Sequence, residues 1–220
     1  MPLSYPTRLS KAILAPLLAL GAVLPAQAAP VLVSVPSFSF AAGSGYGVDA
    51  AESTGTLLDV LFSSTGFAGA SFALDTVGAS QTFDVGTVRL REANAHSGIR
   101  SAETDLLGLQ ASITFGAPFA GSLPLLASVS ATTGSVSDSD FDLTIAWSPF
   151  QLSLADGSVL GIALNTLAFA GAQTLTQSAT VTLLQAAPTA SAQAVPEPSA
   201  GLLAGMALAA LALTRRRSPR

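Results

Sequence analysis

The sequence contains no cysteine, only one histidine and only one lysine. Without cysteine there is no disulfide, thiol nucleophile, thiolate metal site or lipidated cysteine. A serine hydrolase would need His96 as its base, yet His96 lies in a polar stretch, 89–105, whose polarity predicts a long hairpin loop. No G-x-S-x-G nucleophile elbow occurs either. We therefore expect a non-enzymatic protein with no cofactor, and a secreted hydrolase is the least favoured alternative.

Charge is scarce as well, at 10% of the chain, whereas about 25% is usual for a soluble domain. Residues 29–195 hold twelve acidic and three basic side chains, a net charge of −9. Such a region repels phosphate groups, which disfavours nucleic acid as a partner. Neutral polysaccharide or a divalent cation is compatible with this charge.

The N-terminus has the three parts of a secretory signal. Arg8 and Lys11 precede an apolar run at 12–23, and Ala26 and Ala28 form a small-x-small cleavage motif. The run is shorter than the roughly 20 residues that span a bilayer. We predict a signal peptide at 1–28 that signal peptidase removes after Ala28; an uncleaved anchor is the alternative.

The C-terminus also has three parts in order. Val195, Pro196, Glu197 and Pro198 come first, an apolar run at 199–213 follows, and a basic cluster ends the chain. That cluster is Arg215, Arg216 and Arg217. The prolines prevent a helix from extending backwards, and the arginines are expected to stay in the cytoplasm. The pattern predicts a transmembrane helix at 199–214, with the preceding domain outside the cytoplasm.

These C-terminal features together resemble the PEP-CTERM sorting signal of exopolysaccharide-producing Gram-negative bacteria, over residues 195–220. The resemblance implies that an exosortase recognises Pro196, Glu197 and Pro198 and processes the tail. It also implies transient anchoring in the inner membrane, followed by delivery to the cell surface or extracellular matrix, with exopolysaccharide or biofilm as the associated material. A plain tail anchor behind a proline-rich linker is the alternative.

Between the ends, residues 29–185 show an apolar period of two, and a flexible spacer is predicted at 186–194. Such runs, separated by turn residues, predict an all-β domain, an antiparallel β-sandwich of jelly-roll-like type. A phase slip at Gly86-Thr87 predicts a β-bulge. The runs are 31–41, 56–62, 71–74, 107–115, 125–131, 141–147, 158–169 and 178–183.

The central region is also similar to the β-rich choice-of-anchor domains that accompany PEP-CTERM tails. Three short segments carry this similarity: 83–87, 103–106 and 142–147. It implies a β-rich fold, and no functional residue is transferred by it.

Asp138, Asp140 and Asp142 are spaced by two residues. In a loop their carboxylates could converge on Ca²⁺, which prefers oxygen ligands. On a strand, Asp142 would instead lie on the solvent face, and the EF-hand glycine and glutamate positions are not matched. A lectin-like module that binds carbohydrate or calcium, with Arg89, Arg91 and Arg100 as candidate glycan contacts, is therefore the alternative to a structural matrix protein.

Overall fold

The computed structural model describes residues 29–49, 54–92, 98–117, 119–136, 140–188, 204–208 and 211. These residues form twelve β-strands, a 3₁₀ turn at Ser101–Thr104 and a short helical segment at 204–208. The strands are β1 Val31–Val35, β2 Ser37–Ala42, β3 Val60–Ser63, β4 Ala70–Leu74, β5 Ser80–Leu90, β6 Leu109–Phe115, β7 Gly121–Ala131, β8 Leu143–Trp147, β9 Phe150–Ser153, β10 Val159–Leu164, β11 Leu167–Phe169 and β12 Thr174–Gln185. All pairings between them are antiparallel, which confirms the predicted all-β class.

The strands form two five-stranded sheets and a two-stranded ribbon. The first sheet has the spatial order β3-β5-β12-β10-β9, the second has the order β11-β8-β7-β6-β2, and the ribbon pairs β1 with β4. The second sheet follows chain order, whereas in the first sheet β12 is inserted between β5 and β10.

One cluster of buried side chains is shared by both sheets and the ribbon. Strand β6 shows why the sequence folds this way: Leu109, Ala111, Ile113 and Phe115 are buried, and the polar residues between them face outward. The predicted alternation is confirmed there. Buried apolar area contributes roughly 25 cal/mol per Å² to the free energy of folding. This core therefore stabilises a domain that has no disulfides.

A β-bulge interrupts β5 at the predicted phase slip. Gln177 of β12 pairs with Gly86, and the next residue, Ser178, pairs with Asp84, so Val85 is the extra residue. A bulge shifts the alternation of inward and outward side chains by one position. Both halves of β5 therefore keep their apolar residues on the core side.

Two predicted runs are divided in the structure. The run 31–41 breaks at Pro36, which has no N–H to donate, and its halves join the ribbon and the second sheet. The run 158–169 breaks between β10 and β11, which lie in different sheets. There the side-chain Nδ2 of Asn165 donates to the backbone oxygen of Thr176 at 3.2 Å. At both breaks the buried positions change phase, from Val35 to Phe38 and from Leu164 to Leu167. The prediction overlooked these two shifts because it treated each stretch as one run.

The stretch 89–105 is not the hairpin loop that its polarity predicted. Arg89 belongs to β5 in the first sheet, and the chain then crosses to β6 in the second sheet. Ile99 and Glu103 of the crossing are each only 1% exposed. The segment is therefore partly core; His96 lies outside the described residues.

The start of β8 also differs from the prediction. Phe141, expected on the core face, is 61% exposed, and Asp142, expected on the solvent face, is 4% exposed. The reason is that the ladder begins only at Leu143. Asp142 lies in a bend, where its backbone N–H donates to Phe169 at 2.7 Å and its carbonyl accepts from Thr132 at 2.8 Å. Strand alternation does not extend to residues outside the ladder.

Tyr46 makes the stability of the domain sensitive to high pH. Its hydroxyl donates to the backbone oxygen of Leu107 at 2.9 Å, and burial raises the pKa of Tyr46 well above the ordinary value of about 10. Above pH 10 the unfolded chain loses this proton while the folded chain keeps it, so stability falls as pH rises. We expect the urea midpoint to fall between pH 9 and 11, and Tyr46→Phe to lack much of that fall. Equal falls in both proteins would contradict this role.

Candidate functional site

Most residues of the predicted export and sorting signals lie outside the described part of the chain. These are Ala26, Ala28, Val195, Pro196, Glu197, Pro198, Arg215, Arg216 and Arg217. Of the predicted transmembrane segment 199–214, residues 204–208 and 211 are described; they are helical and exposed. Across the described ranges, no helix has the length and apolarity needed to cross a membrane.

The three aspartates proposed as calcium ligands are not shown together. Asp138 lies outside the described residues, Asp140 is exposed and Asp142 is buried. Where the structure describes the chain, no group of three or more histidine, cysteine, aspartate or glutamate side chains is placed to hold a metal ion. The structure therefore offers this calcium hypothesis no support.

Charged side chains near the crossing segment make contacts within the protein. Nε of Arg91 lies 3.8 Å from Oδ2 of Asp59, and Nη1 of Arg100 donates to the backbone oxygen of Gly55 at 2.9 Å. Glu103 Oε2 accepts from the backbone N–H of Arg100 at 2.7 Å, while its buried Oε1 has no hydrogen-bond partner among the described residues. Arg91 and Arg100 thus tie the loops together, which weakens the hypothesis that they contact a glycan.

A polar group lies inside the core between the sheets. Gln177 is fully buried, and its Oε1 accepts from the indole Nε1 of Trp147 at 2.9 Å. Its Nε2 donates to the side-chain oxygen of Asn165 at 2.6 Å, and that oxygen also accepts from the backbone N–H of Ser178 at the same distance. Trp147, the last residue of the predicted run 141–147, is buried. The sequence did not predict its partner Gln177, which is a polar residue at an inward position of β12.

The twelve strands carry almost no charge. Asp84 and Arg89, both in β5, are the only ionisable acidic or basic residues within their bounds. About 25% of the residues of a soluble domain are usually charged. The outer sheet faces of the described domain are therefore unusually neutral, and the acidic residues that give the domain its net charge lie mostly in loops.

Hydroxyl groups occupy many of the outward positions instead. Cross-strand pairs such as Thr82 with Thr180 and Thr114 with Ser122 are hydrogen-bonded at 2.8 and 3.0 Å. Serine and threonine positions of β12 alternate with its buried residues. The outward serines and threonines of the second sheet are Ser37, Ser39, Ser112, Thr114, Ser122, Ser128, Ser130 and Thr144.

The first sheet also has a depression of about 340 Å³ on its outer face, where β3, β5 and β12 meet the turn after β3. Its walls combine hydroxyls, one carboxylate and one aromatic ring. The lining residues are Ser63, Thr65, Gly66, Phe67, Asp84, Gly86, Thr87 and Thr176. The size is at the lower end of the ~300–1,000 Å³ typical of small-ligand sites. No linear motif marks this group of residues, because its members come from three distant segments of the chain.

No family model, no curated protein and no solved structure matches this chain.

Proposed function

We propose that this chain is an exported, non-enzymatic protein of the cell surface or extracellular matrix that associates with neutral exopolysaccharide. In this proposal residues 1–28 direct export, and the described β-domain is a sandwich held outside the cytoplasm. The PEP-CTERM tail at 195–220 anchors it transiently in the inner membrane, until an exosortase processes the segment around Pro196, Glu197 and Pro198.

The neutrality of the strands is the observation that carries the polysaccharide part. Two broad sheet faces present hydroxyls and almost no charge, so they form hydrogen bonds with sugar hydroxyls without desolvating ions. Acidic loops around them disfavour nucleic acid and anionic lipid. Export and sorting are supported by the order of the segments at the two ends of the sequence.

A lectin-like module with one defined glycan site is the second candidate function. The depression lined by Phe67 and Asp84 favours it, because few polar groups converge there beside an aromatic ring. The two candidates share the ligand class, and they differ in whether binding depends on one site or on extended faces.

Processing of the tail is tested by intact-mass measurement of surface material from a strain that has an exosortase. We expect a mature chain beginning near Ala29 and ending near Pro196–Pro198, because the prolines and Glu197 form the recognition segment. A triple Pro196→Ala, Glu197→Ala, Pro198→Ala variant should keep its tail and stay in the membrane fraction. Pro188→Ala is the matched control and should be processed normally. Surface protein that still ends at Arg220 would overturn the sorting proposal.

A further inference from the structure

We propose that the depression on the first sheet is a binding site for one or two sugar units of a neutral glycan, with Phe67 as its apolar platform and Asp84 as its main hydrogen-bond acceptor. This inference rests on the proposed association with polysaccharide and assigns it to particular residues.

The β5 bulge creates the site. In a regular strand, residues three apart face opposite sides of the sheet. Because Val85 is the extra residue in the ladder, Asp84 and Thr87 both line the depression on the outer face, while Val85 and Val88 are both fully buried. A bulge of this kind redirects side chains, and here it brings a carboxylate beside a hydroxyl.

Gly86 allows the third strand to approach. A Cβ at this position would collide with the backbone oxygen of Ser63 and would stand 3.1 Å from the ring of Phe40. Glycine is therefore required for β3 to lie close against the bulge. As a result one row across β3, β5 and β12 contains Ser63, Thr87 and Thr176. Neighbouring strands in this row lie roughly 4.8 Å apart.

The polar groups are suited to sugar hydroxyls. Oδ1 of Asp84 accepts from the hydroxyl of Ser178 at 2.7 Å, which orients the carboxylate; its Oδ2 has no hydrogen-bond partner among the described residues. A carboxylate has about four acceptor positions, and bonds to an ionised acceptor are the stronger ones. The hydroxyls of Thr87 and Thr176 make no side-chain hydrogen bond within the described structure. Each of them can both donate and accept.

The aromatic wall is held in place by the core. Phe67 is half-buried and stacks on Phe83, with ring centroids 5.9 Å apart and planes 16° apart. Phe72 supports Phe83 from β4 at 5.7 Å. The negative face of such a ring attracts the polarised C–H groups of a pyranose, and a ring fixed in advance loses little entropy on binding. A single carboxylate is too few ligands for a hard cation, and its charge repels acidic sugars.

The test measures binding of the purified full-length protein to a panel of neutral oligosaccharides of glucose, galactose and mannose, with a polyuronate as the acidic comparison. We expect binding to a neutral member and none to the polyuronate. Phe67→Ala and Asp84→Asn should each weaken that binding roughly tenfold or more. Phe150→Ala and Asp75→Asn are the matched controls at exposed positions away from the depression, and they should bind like the unchanged protein.

The outcomes separate the two proposals. If the unchanged protein binds and all four variants bind equally well, this site is wrong while polysaccharide association stands. If the unchanged protein binds no neutral glycan, the association itself is overturned, and the site with it. A melting curve of each variant shows whether it folds. If Phe67→Ala does not fold, the binding of Asp84→Asn alone tests the site, because this change keeps the size of an exposed side chain.

Discussion

Replacement of Phe169 by alanine is expected to lower the free energy of unfolding by about 3–5 kcal/mol. Phe169 is fully buried in β11, the edge strand of the second sheet, and is among the largest fully enclosed side chains of the described core. Its truncation removes apolar contacts and leaves a cavity. The loss is a large part of the roughly 5–15 kcal/mol that holds a typical domain together.

Urea unfolding followed by tryptophan fluorescence measures this effect, because Trp147 is the only tryptophan and lies in the same core. Phe150→Ala is the control, since Phe150 on the edge strand β9 is 37% exposed, and it should cost less. Equal losses at the two positions would contradict the assignment of β11 to the shared core.

Gln177→Leu is expected to have the second-largest effect, with a cost of about 1–3 kcal/mol for each buried polar group that it leaves unpaired. The indole N–H of Trp147 would lose its acceptor, and the side-chain oxygen of Asn165 would lose a donor. A leucine that fills a similar volume cannot compensate for these lost bonds.

A double-mutant cycle with Trp147→Phe separates packing from hydrogen bonding. Once both partners of the indole bond are apolar, no donor is left unpaired, so the double variant should lose less stability than the sum of the two single changes. Additive losses would show that the hydrogen bond makes no contribution of its own. Circular dichroism at equilibrium in urea gives all three values without relying on Trp147 fluorescence.

Local alternation was enough to predict the β-class, because one-sided burial imposes a period of two on each strand. It identified the inward faces of β6, β8 and β12 and the position of the bulge in β5. It failed at Phe141, where the alternation of residue types continues but the ladder does not. The period of two shows which residues of a strand can lie on the same face. Where the strand begins and ends depends on its pairing with neighbouring strands, which the period does not show.

Sheet membership could not be predicted from the sequence, since it depends on contacts between distant segments. The buried positions shift phase between Leu164 and Leu167, around Asn165, but the shift alone does not say that the chain leaves the first sheet there. The glycan site was hidden for the same reason: Ser63, Thr87 and Thr176 are separated by 24 and 89 residues, and only the register of three strands puts them in one row. The export and sorting signals, by contrast, are linear and remain predictions from the sequence.

The near absence of basic residues on the strands has a consequence for proteolysis. Proteases of trypsin type cut after lysine or arginine, and between residues 29 and 195 they find only Arg89, Arg91 and Arg100. Arg89 is held within a ladder between Leu61 and Thr174. The backbone at such a position is accessible only after local unfolding. For a protein with the extracellular location proposed above, so few cleavable positions favour a long lifetime against proteases of this type.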